Sequence, residues 1–111
     1  MTRLIGSLLL FTLAACGPNL TGPDTACGDG GTTLTYETFG AGFMGVYCTQ
    51  CHGGARVEAN VNLSSAATIR TFAKRANSQT GTGTAMPPAG SLAPTAAERA
   101  DLSRWLSCGA P

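Results

Sequence analysis

Histidine and charged side chains are scarce in this sequence. His52 is the only histidine among 111 residues, so a metal ion bound through an imidazole must be bound there. The seven basic and six acidic residues nearly balance. A surface without a basic excess gives no support for a nucleic-acid partner. It also gives little electrostatic steering toward a strongly charged protein.

Long hydrophobic runs are also absent. The longest apolar run spans residues 4–13 and follows Arg3. A membrane-spanning helix needs about 20 apolar residues. This short run after a basic residue is typical of a secretory signal segment. A buried N-terminal helix is the alternative interpretation.

The end of that run, Leu-Ala-Ala-Cys at residues 13–16, resembles the lipobox of bacterial lipoproteins. The resemblance implies a signal peptide at residues 1–15 and lipidation of Cys16. It also implies a place in the bacterial cell envelope, anchored to a membrane and facing the periplasm. Gly17 in place of aspartate favours the outer membrane, by similarity to enterobacterial sorting. The alternative is ordinary cleavage after Ala15, which would leave Cys16 as a free thiol.

The sequence Cys-Thr-Gln-Cys-His at residues 48–52 is the attachment signature of a c-type haem. In such sites the two thiols form thioethers with the haem vinyl groups, and the histidine ligates the iron. A separation of three residues is nearly one helical turn, so both sulfurs lie on one face. The motif therefore predicts one haem c, held covalently by Cys48 and Cys51, with His52 as an axial ligand.

Two other classes of protein site also use a Cys-x-x-Cys pair and are alternatives for this motif. A thioredoxin-like redox pair lies between a strand and a helix, and no parallel strands are predicted around Cys48. A structural zinc site needs four ligands, commonly with a second paired knuckle. Cys27 and Cys108 are single and distant from the motif. Both alternatives therefore lack the sequence context that they require.

The cysteine count is five, an odd number. If Cys16 carries lipid while Cys48 and Cys51 carry haem, Cys27 and Cys108 remain. In an oxidising compartment these two are expected to form a disulfide. A loop of about 80 residues closed in this way contributes roughly 4 kcal/mol to stability. The alternative is a pair of free buried thiols.

Apolar residues at three- and four-residue spacing predict short helices joined by polar segments. Helices are predicted at residues 36–47, 66–76 and 96–107. Loops are predicted at residues 55–62 and 77–85, and a flexible linker at residues 16–34. Ser64-Ser65 and Thr95 are the expected N-caps, and Glu98 would complete a capping box with Thr95.

These features together resemble the class I cytochromes c. The resemblance covers residues from about 35 to 111. It depends on a first helix that ends in Cys48–His52, a later loop methionine, Met86, and a last helix that carries Leu102, Trp105 and Leu106. It implies an all-α domain at residues 35–111, with three to four short helices wrapped around one haem. The implied function is electron transfer by a monomer with unidentified redox partners, and not enzymatic catalysis.

The resemblance also assigns roles to individual residues. Gly40 would be the glycine at the crossing of the first and last helices, with Trp105 as its aromatic partner in the haem pocket. Leu63 would pack on the haem. If the first and last helices cross, Cys27 and Cys108 would also come close together. Met86, on a loop stiffened by two prolines, would be the sixth iron ligand, and a His/Met pair favours electron transfer.

The chain departs from the family in two respects. His52 and Met86 are only 34 positions apart, which is shorter than in most members. No proline lies between them, so a different backbone carbonyl, near residues 61–63, is expected to orient the ring of His52. If Met86 only packs, the sixth coordination position of the iron would hold a lysine or water or would stay open, as in a haem sensor or peroxidase-like protein. A third alternative is a lipoprotein without haem, whose disulfide is purely structural.

Overall fold

The computed structural model describes residues 27–28 and 30–111. The predicted signal peptide and Cys16 lie outside the described residues. The described part is mostly helical, with four α-helices and almost no strand. These are α1 (Ala41–Tyr47), α2 (Thr49–His52), α3 (Ala66–Ala76) and α4 (Ala96–Ser107). The all-α class is therefore confirmed for this part of the chain, where no helix meets the length and hydropathy needed to cross a membrane.

The first helix begins with a wide turn. Residues Tyr36–Gly40 form a π-helical turn that continues directly into α1. Thr35 caps this turn, because its hydroxyl accepts a bond from the Thr38 amide and the Thr38 hydroxyl accepts one from the Thr35 amide. The helix predicted over residues 36–47 is confirmed. It breaks at Cys48, where φ is −124° and ψ is −46°, and α2 begins at the next residue.

The chain then folds back on the end of α2. Strand β1 (Arg56–Val57) pairs in antiparallel fashion with His52 and Gly53. A single 3₁₀ turn, Glu58–Asn60, follows. The prediction of a plain loop over residues 55–62 was therefore incomplete. This fold-back places the carbonyls of the turn beside the histidine.

Capping boxes start both long helices. In α3, the Ser65 hydroxyl accepts a bond from the Thr68 amide, and the Thr68 hydroxyl accepts one from the Ser65 amide. In α4, Thr95 and Glu98 exchange the equivalent pair of bonds. Each box satisfies two amides that a helix start leaves without partners. The predicted N-caps and the bounds of both helices are confirmed.

A second π-helical turn, Asn77–Gly81, extends α3. The prediction of a polar loop from residue 77 was wrong for these five residues. Tertiary contacts explain the difference, because the turn packs against α4 and buries Asn77 and Thr80. The Asn77 side-chain amide donates to the Ser107 hydroxyl at 3.3 Å. A β-carbon at Gly81 would lie 3.1 Å from the Cα of Ser103, so the two backbones approach closely.

The core lies between α1, α3 and α4. Its largest fully buried side chains come from all three helices: Trp105, Met44, Ile69 and Leu102. The ring of Phe39 meets that of Trp105 edge-on at a centroid distance of 5.8 Å. A β-carbon at Gly40 would overlap the indole ring. The predicted close approach of Gly40 and Trp105 is therefore confirmed.

A disulfide joins Cys27 to Cys108, with the Cα atoms 4.8 Å apart. The predicted pairing is confirmed. The residues that follow Cys27 are also bound to the helical domain. Arg104 donates to the Gly31 carbonyl at 3.0 Å from Nε and at 2.6 Å from Nη2. Leu34 packs against the core. Cys27, Gly31 and Leu34 of the predicted linker are therefore bonded to or packed against the helical domain.

Candidate functional site

A cleft of about 330 Å³ opens beside α2. Its volume lies at the lower end of the range of small-molecule sites, about 300–1,000 Å³. Exposed side chains, among them Val46, Met86 and Leu92, are part of its lining, so it is open to solvent. Five residues predicted from the sequence as haem contacts or ligands lie together in this lining: Cys48, Cys51, His52, Leu63 and Met86.

The inner wall of the cleft is apolar. Met44, Val61, Leu63 and Leu102 all line it and are buried. Polar lining residues include Gln50, Arg75, Gln79 and Thr80. An apolar cleft with a few polar groups is the usual form of a site for an organic cofactor.

Trp105 is the exception among the predicted pocket residues. It does not contribute to the cleft lining, and its fully buried ring packs against Gly40 and Phe39 instead. Trp105 therefore contributes to the core at the helix crossing and not to the lining of this cleft. Leu102, one turn earlier on α4, supplies that wall. Sequence periodicity placed both residues on one apolar face but does not indicate which of them borders a cavity.

Cys48 and Cys51 are free thiols, in contrast to Cys27 and Cys108. Cys48 is buried, and burial raises the pKa of its thiol to about 11. At neutral pH it is therefore a protonated thiol. The reactive cysteine of a thioredoxin-like pair has a lowered pKa, so the environment of Cys48 does not favour that alternative.

A zinc site has no support in the part of the chain that the structure describes. No three His, Cys, Asp or Glu side chains there cluster closely enough to hold a metal ion. Cys27 and Cys108 are joined to each other. A bonded disulfide offers no thiolate to a metal, so these two cysteines do not complete a four-ligand set with the motif.

The ring of His52 is held by two backbone carbonyls. Its Nδ1 lies 3.1 Å from the Glu58 oxygen and 3.2 Å from the Val61 oxygen. Both partners are acceptors, so Nδ1 carries the proton and donates. In the neutral imidazole, Nε2 is then the nitrogen with a free lone pair, which is the form that binds a metal. The Leu63 amide also donates to the His52 carbonyl at 2.7 Å.

The carbonyl expected near residues 61–63 is thus that of Val61, and sequence reasoning missed Glu58. Two consecutive residues of this turn, Ala59 and Asn60, have positive φ angles of 54° and 57°. Asparagine tolerates this conformation, whereas alanine seldom adopts it. Because Ala59 gives no signal for such a turn, the contribution of Glu58 was not foreseeable.

Met86 is partly exposed, with a relative accessibility of 38 %. Its backbone is fixed on both sides, since the amide donates to the Gln79 carbonyl at 2.9 Å and the carbonyl accepts from Arg99 at 3.0 Å. The chain therefore presents Met86 to the same cleft as His52 from a segment without regular secondary structure.

Tyr47 connects the start of the motif to α4. Its hydroxyl donates to both carboxylate oxygens of Glu98 at 3.1 Å. The pKa of Glu98 is lowered, chiefly by the backbone amide of Thr95 and also by the Tyr47 hydroxyl. Burial and the carboxylate raise the pKa of Tyr47. Sequence analysis identified Glu98 only as a cap, and its bond to Tyr47 spans 51 positions.

In comparisons with known proteins, no family model, curated protein or solved structure matches this chain. The resemblance to class I cytochromes c therefore stays a prediction from residues 48–52 and their surroundings.

Proposed function

We propose that this chain is a membrane-anchored monohaem c-type cytochrome that transfers electrons. One observation carries the proposal: the two free cysteines of the described residues, the only histidine of the sequence and Met86 line a single apolar cleft. The other described cysteines, Cys27 and Cys108, are used in a disulfide. The residues of the cleft therefore match the set that a covalent haem requires.

Cys48 and Cys51 would hold the haem through thioether bonds, and Nε2 of His52 would ligate its iron. When bound, the haem supplies one-electron redox chemistry. The carbonyls of Glu58 and Val61 keep the imidazole in the correct tautomer and increase its basicity as a ligand. Burial keeps Cys48 as a neutral thiol until attachment.

The walls of the cleft suit an electron carrier. Met44, Leu63 and Leu102 exclude water from the inner side, which limits reorganisation around the site. The open side would leave an edge of the haem accessible to redox partners, whose interfaces with such carriers are usually small. The nearly balanced charge predicts association that depends weakly on salt. No separate substrate site is needed, so we do not propose an enzyme.

Met86 is the proposed sixth ligand. A His/Met pair raises the reduction potential and favours electron transfer. The alternative is an open-site haem sensor or peroxidase-like protein, and the exposure of Met86 is the observation that favours it. In that case cyanide or carbon monoxide would bind the iron without displacing a protein ligand.

Localisation is part of the proposal. Lipidation of Cys16 would anchor the domain to a bacterial membrane, facing the periplasm, with the outer membrane favoured by Gly17. More than one acyl chain is needed for stable anchoring, and lipoproteins carry at least two. The compartment is oxidising, which agrees with the disulfide between Cys27 and Cys108.

The deciding experiment is expression of the full chain in a bacterium that matures c-type cytochromes. We expect a haem stain that survives denaturing electrophoresis in the wild type and in a Cys27→Ala/Cys108→Ala control that still folds. The stain should disappear in Cys48→Ala/Cys51→Ala. Absence of the stain from the wild-type protein would contradict the proposal. A high-spin ferric spectrum would instead favour the open-site alternative.

A further inference from the structure

The segment that carries Met86 needs an anchor. Residues 82–95 contain no regular secondary structure. Segments with few backbone bonds and high exposure open easily. Between residues 83 and 90, the bond from the Met86 amide to the Gln79 carbonyl is the one backbone–backbone link to a helical element among the described residues.

Arg99 supplies further bonds to this segment and to the π-helical turn before it. Its Nη1 donates to the carbonyls of Thr80 at 2.9 Å, Gly83 at 3.2 Å and Met86 at 3.0 Å. Bonds from a charged donor are stronger than neutral ones. Among residues 27–28 and 30–111, Arg99 has no carboxylate partner. Its charge is therefore compensated by these three backbone carbonyls.

Arg99 lies on a rigid support. It occupies the first turns of α4, next to the capping residue Glu98 and one turn before the buried Leu102. The π-helical turn Asn77–Gly81 packs directly on this helix. The guanidinium therefore connects the Met86 segment to a helix whose Leu102, Trp105 and Leu106 are buried in the core.

We propose that Arg99 is a positioning residue that holds Met86 at the cleft, so that its thioether is available as the sixth iron ligand. This inference rests on the proposed function. Arg99 acts through the backbone, because it binds the Met86 carbonyl and not the sulfur. Without the Arg99 guanidinium, the backbone of residues 83–90 keeps only the link to Gln79, and the segment samples conformations in which Met86 leaves the cleft.

Arg104 provides a matched control. It is on the same helix, and its guanidinium also binds a backbone carbonyl, that of Gly31. Neither Arg104 nor Gly31 lines the cleft. Replacing Arg104 should therefore lower stability without changing the iron ligands.

The experiment compares Arg99→Gln and Arg104→Gln in the haem-loaded full chain. We expect Arg99→Gln to weaken the far-red absorption band of the Met–Fe(III) bond and to bind added imidazole about tenfold more tightly, since the Met86-bound state becomes less populated. Hydrogen exchange of the Met86 amide should accelerate as well. Arg104→Gln should match the wild type in all three measurements, even where its unfolding midpoint falls.

Several results would overturn the inference. An unchanged band, imidazole affinity and Met86 exchange rate in Arg99→Gln would show that Arg99 does not position the ligand. A wild-type protein that binds haem but lacks the band would exclude Met86 as the ligand, and the inference with it. Absence of haem from the wild type would contradict the proposed function itself, which separates the two failures.

A second pair of variants keeps the test possible when Arg99→Gln does not fold. If Arg99→Gln does not fold, Arg99→Lys and Arg104→Lys are compared by the same three measurements. Lysine keeps the charge but lacks the planar fork of arginine. We expect Arg99→Lys to give an intermediate band and affinity, and values equal to those of Arg104→Lys would overturn the inference.

Discussion

The indole ring of Trp105 fills the space that a β-carbon would occupy at Gly40. This is the point at which the first helical segment meets α4. The ring of Phe39 packs edge-on beside it. A residue without a side chain is therefore required at this crossing, and glycine at position 40 serves packing.

Gly40→Ala tests this requirement. The added methyl group must displace the indole ring or the helix, so we expect a loss of about 1–3 kcal/mol in the free energy of unfolding. The improved helix propensity of alanine opposes this by up to about 1 kcal/mol. Urea unfolding of the holoprotein measures the difference.

Gly42→Ala is the matched control, because nothing lies within 4 Å of a β-carbon built there and the residue is in α1. It should leave stability unchanged or raise it by up to about 1 kcal/mol. Equal stability of the two variants would contradict the crossing geometry. Gly45, which is also in α1, faces open space as well.

The disulfide predicts a large effect of reduction. Its loop spans 81 positions, and chain entropy assigns roughly 4 kcal/mol to a loop of this size. The Cys27→Ala/Cys108→Ala variant should therefore unfold at a clearly lower urea concentration than the wild type. Mass spectrometry should show a gain of two hydrogens on reduction, mapped to these two residues. Unfolding midpoints that coincide would show that the bridge adds nothing to stability.

Local rules predicted the elements that local interactions decide. The N-caps at Ser65 and Thr95 can be predicted from the sequence because each side chain satisfies an amide within its own first turn. The π-helical turn Asn77–Gly81 cannot be predicted from local sequence, because its burial depends on contacts with α4. Counting cysteines predicted the Cys27–Cys108 bridge, whereas no local pattern indicates the bond from Tyr47 to Glu98.

In the candidate site, too, local sequence predicts some features and long-range packing decides the others. The motif at residues 48–52 predicts ligands because its chemistry needs those residue types at that spacing. The shape of the cleft depends on long-range packing, which is why Leu102 and not Trp105 forms its wall. The second carbonyl on the His52 ring, that of Glu58, depends on the left-handed backbone at Ala59.

The bond between Glu98 and Tyr47 predicts an acid sensitivity. The lowered pKa of Glu98 means that its carboxylate is favoured in the folded state. Its contribution to stability is present above the ordinary glutamate pKa, 4.5, and is lost as the pH falls through the lower folded value. We expect the unfolding midpoint of the wild type to fall on acidification below about pH 4.5.

Glu98→Gln should show a smaller fall over the same range, because glutamine has no carboxylate to protonate but can still accept the amide bond of the cap. Tyr47→Phe, which removes only the hydroxyl, should lie between the two. Parallel acid curves for the wild type and Glu98→Gln would exclude Glu98 as a source of the sensitivity.

Cys48 predicts slow thiol chemistry before haem attachment. With a pKa of about 11, only a small fraction is thiolate near neutral pH, and the thiolate is the reactive form. In the apo chain of Cys51→Ala, alkylation should be slow at pH 8 and accelerate about tenfold per pH unit toward pH 11. Cys48→Ala, which retains the less buried Cys51, should react faster at pH 8. A rate for Cys48 that levels off near pH 9 would mean that this thiol is not buried before attachment.

Methionine substitution separates ligation from packing. Met86 and Met44 both line the cleft, but Met86 is partly exposed on an irregular segment and Met44 is 2 % exposed within α1. Met86→Ala should abolish the far-red Met–Fe(III) band and lower the reduction potential, since a thioether ligand raises it. Its stability should change little by comparison with a core truncation.

Met44→Leu is the matched variant. It conserves volume in the core, so we expect a loss of less than about 1.5 kcal/mol and an unchanged far-red band. Loss of the band in Met44→Leu but not in Met86→Ala would reverse the ligand assignment. Retention of the band in Met86→Ala would exclude Met86, and high-spin iron in the wild type would favour the open-site alternative. Because Met86 and Met44 both border the cleft, the absorption spectrum distinguishes an iron ligand from a residue that only lines the cleft more directly than the free energy of unfolding does.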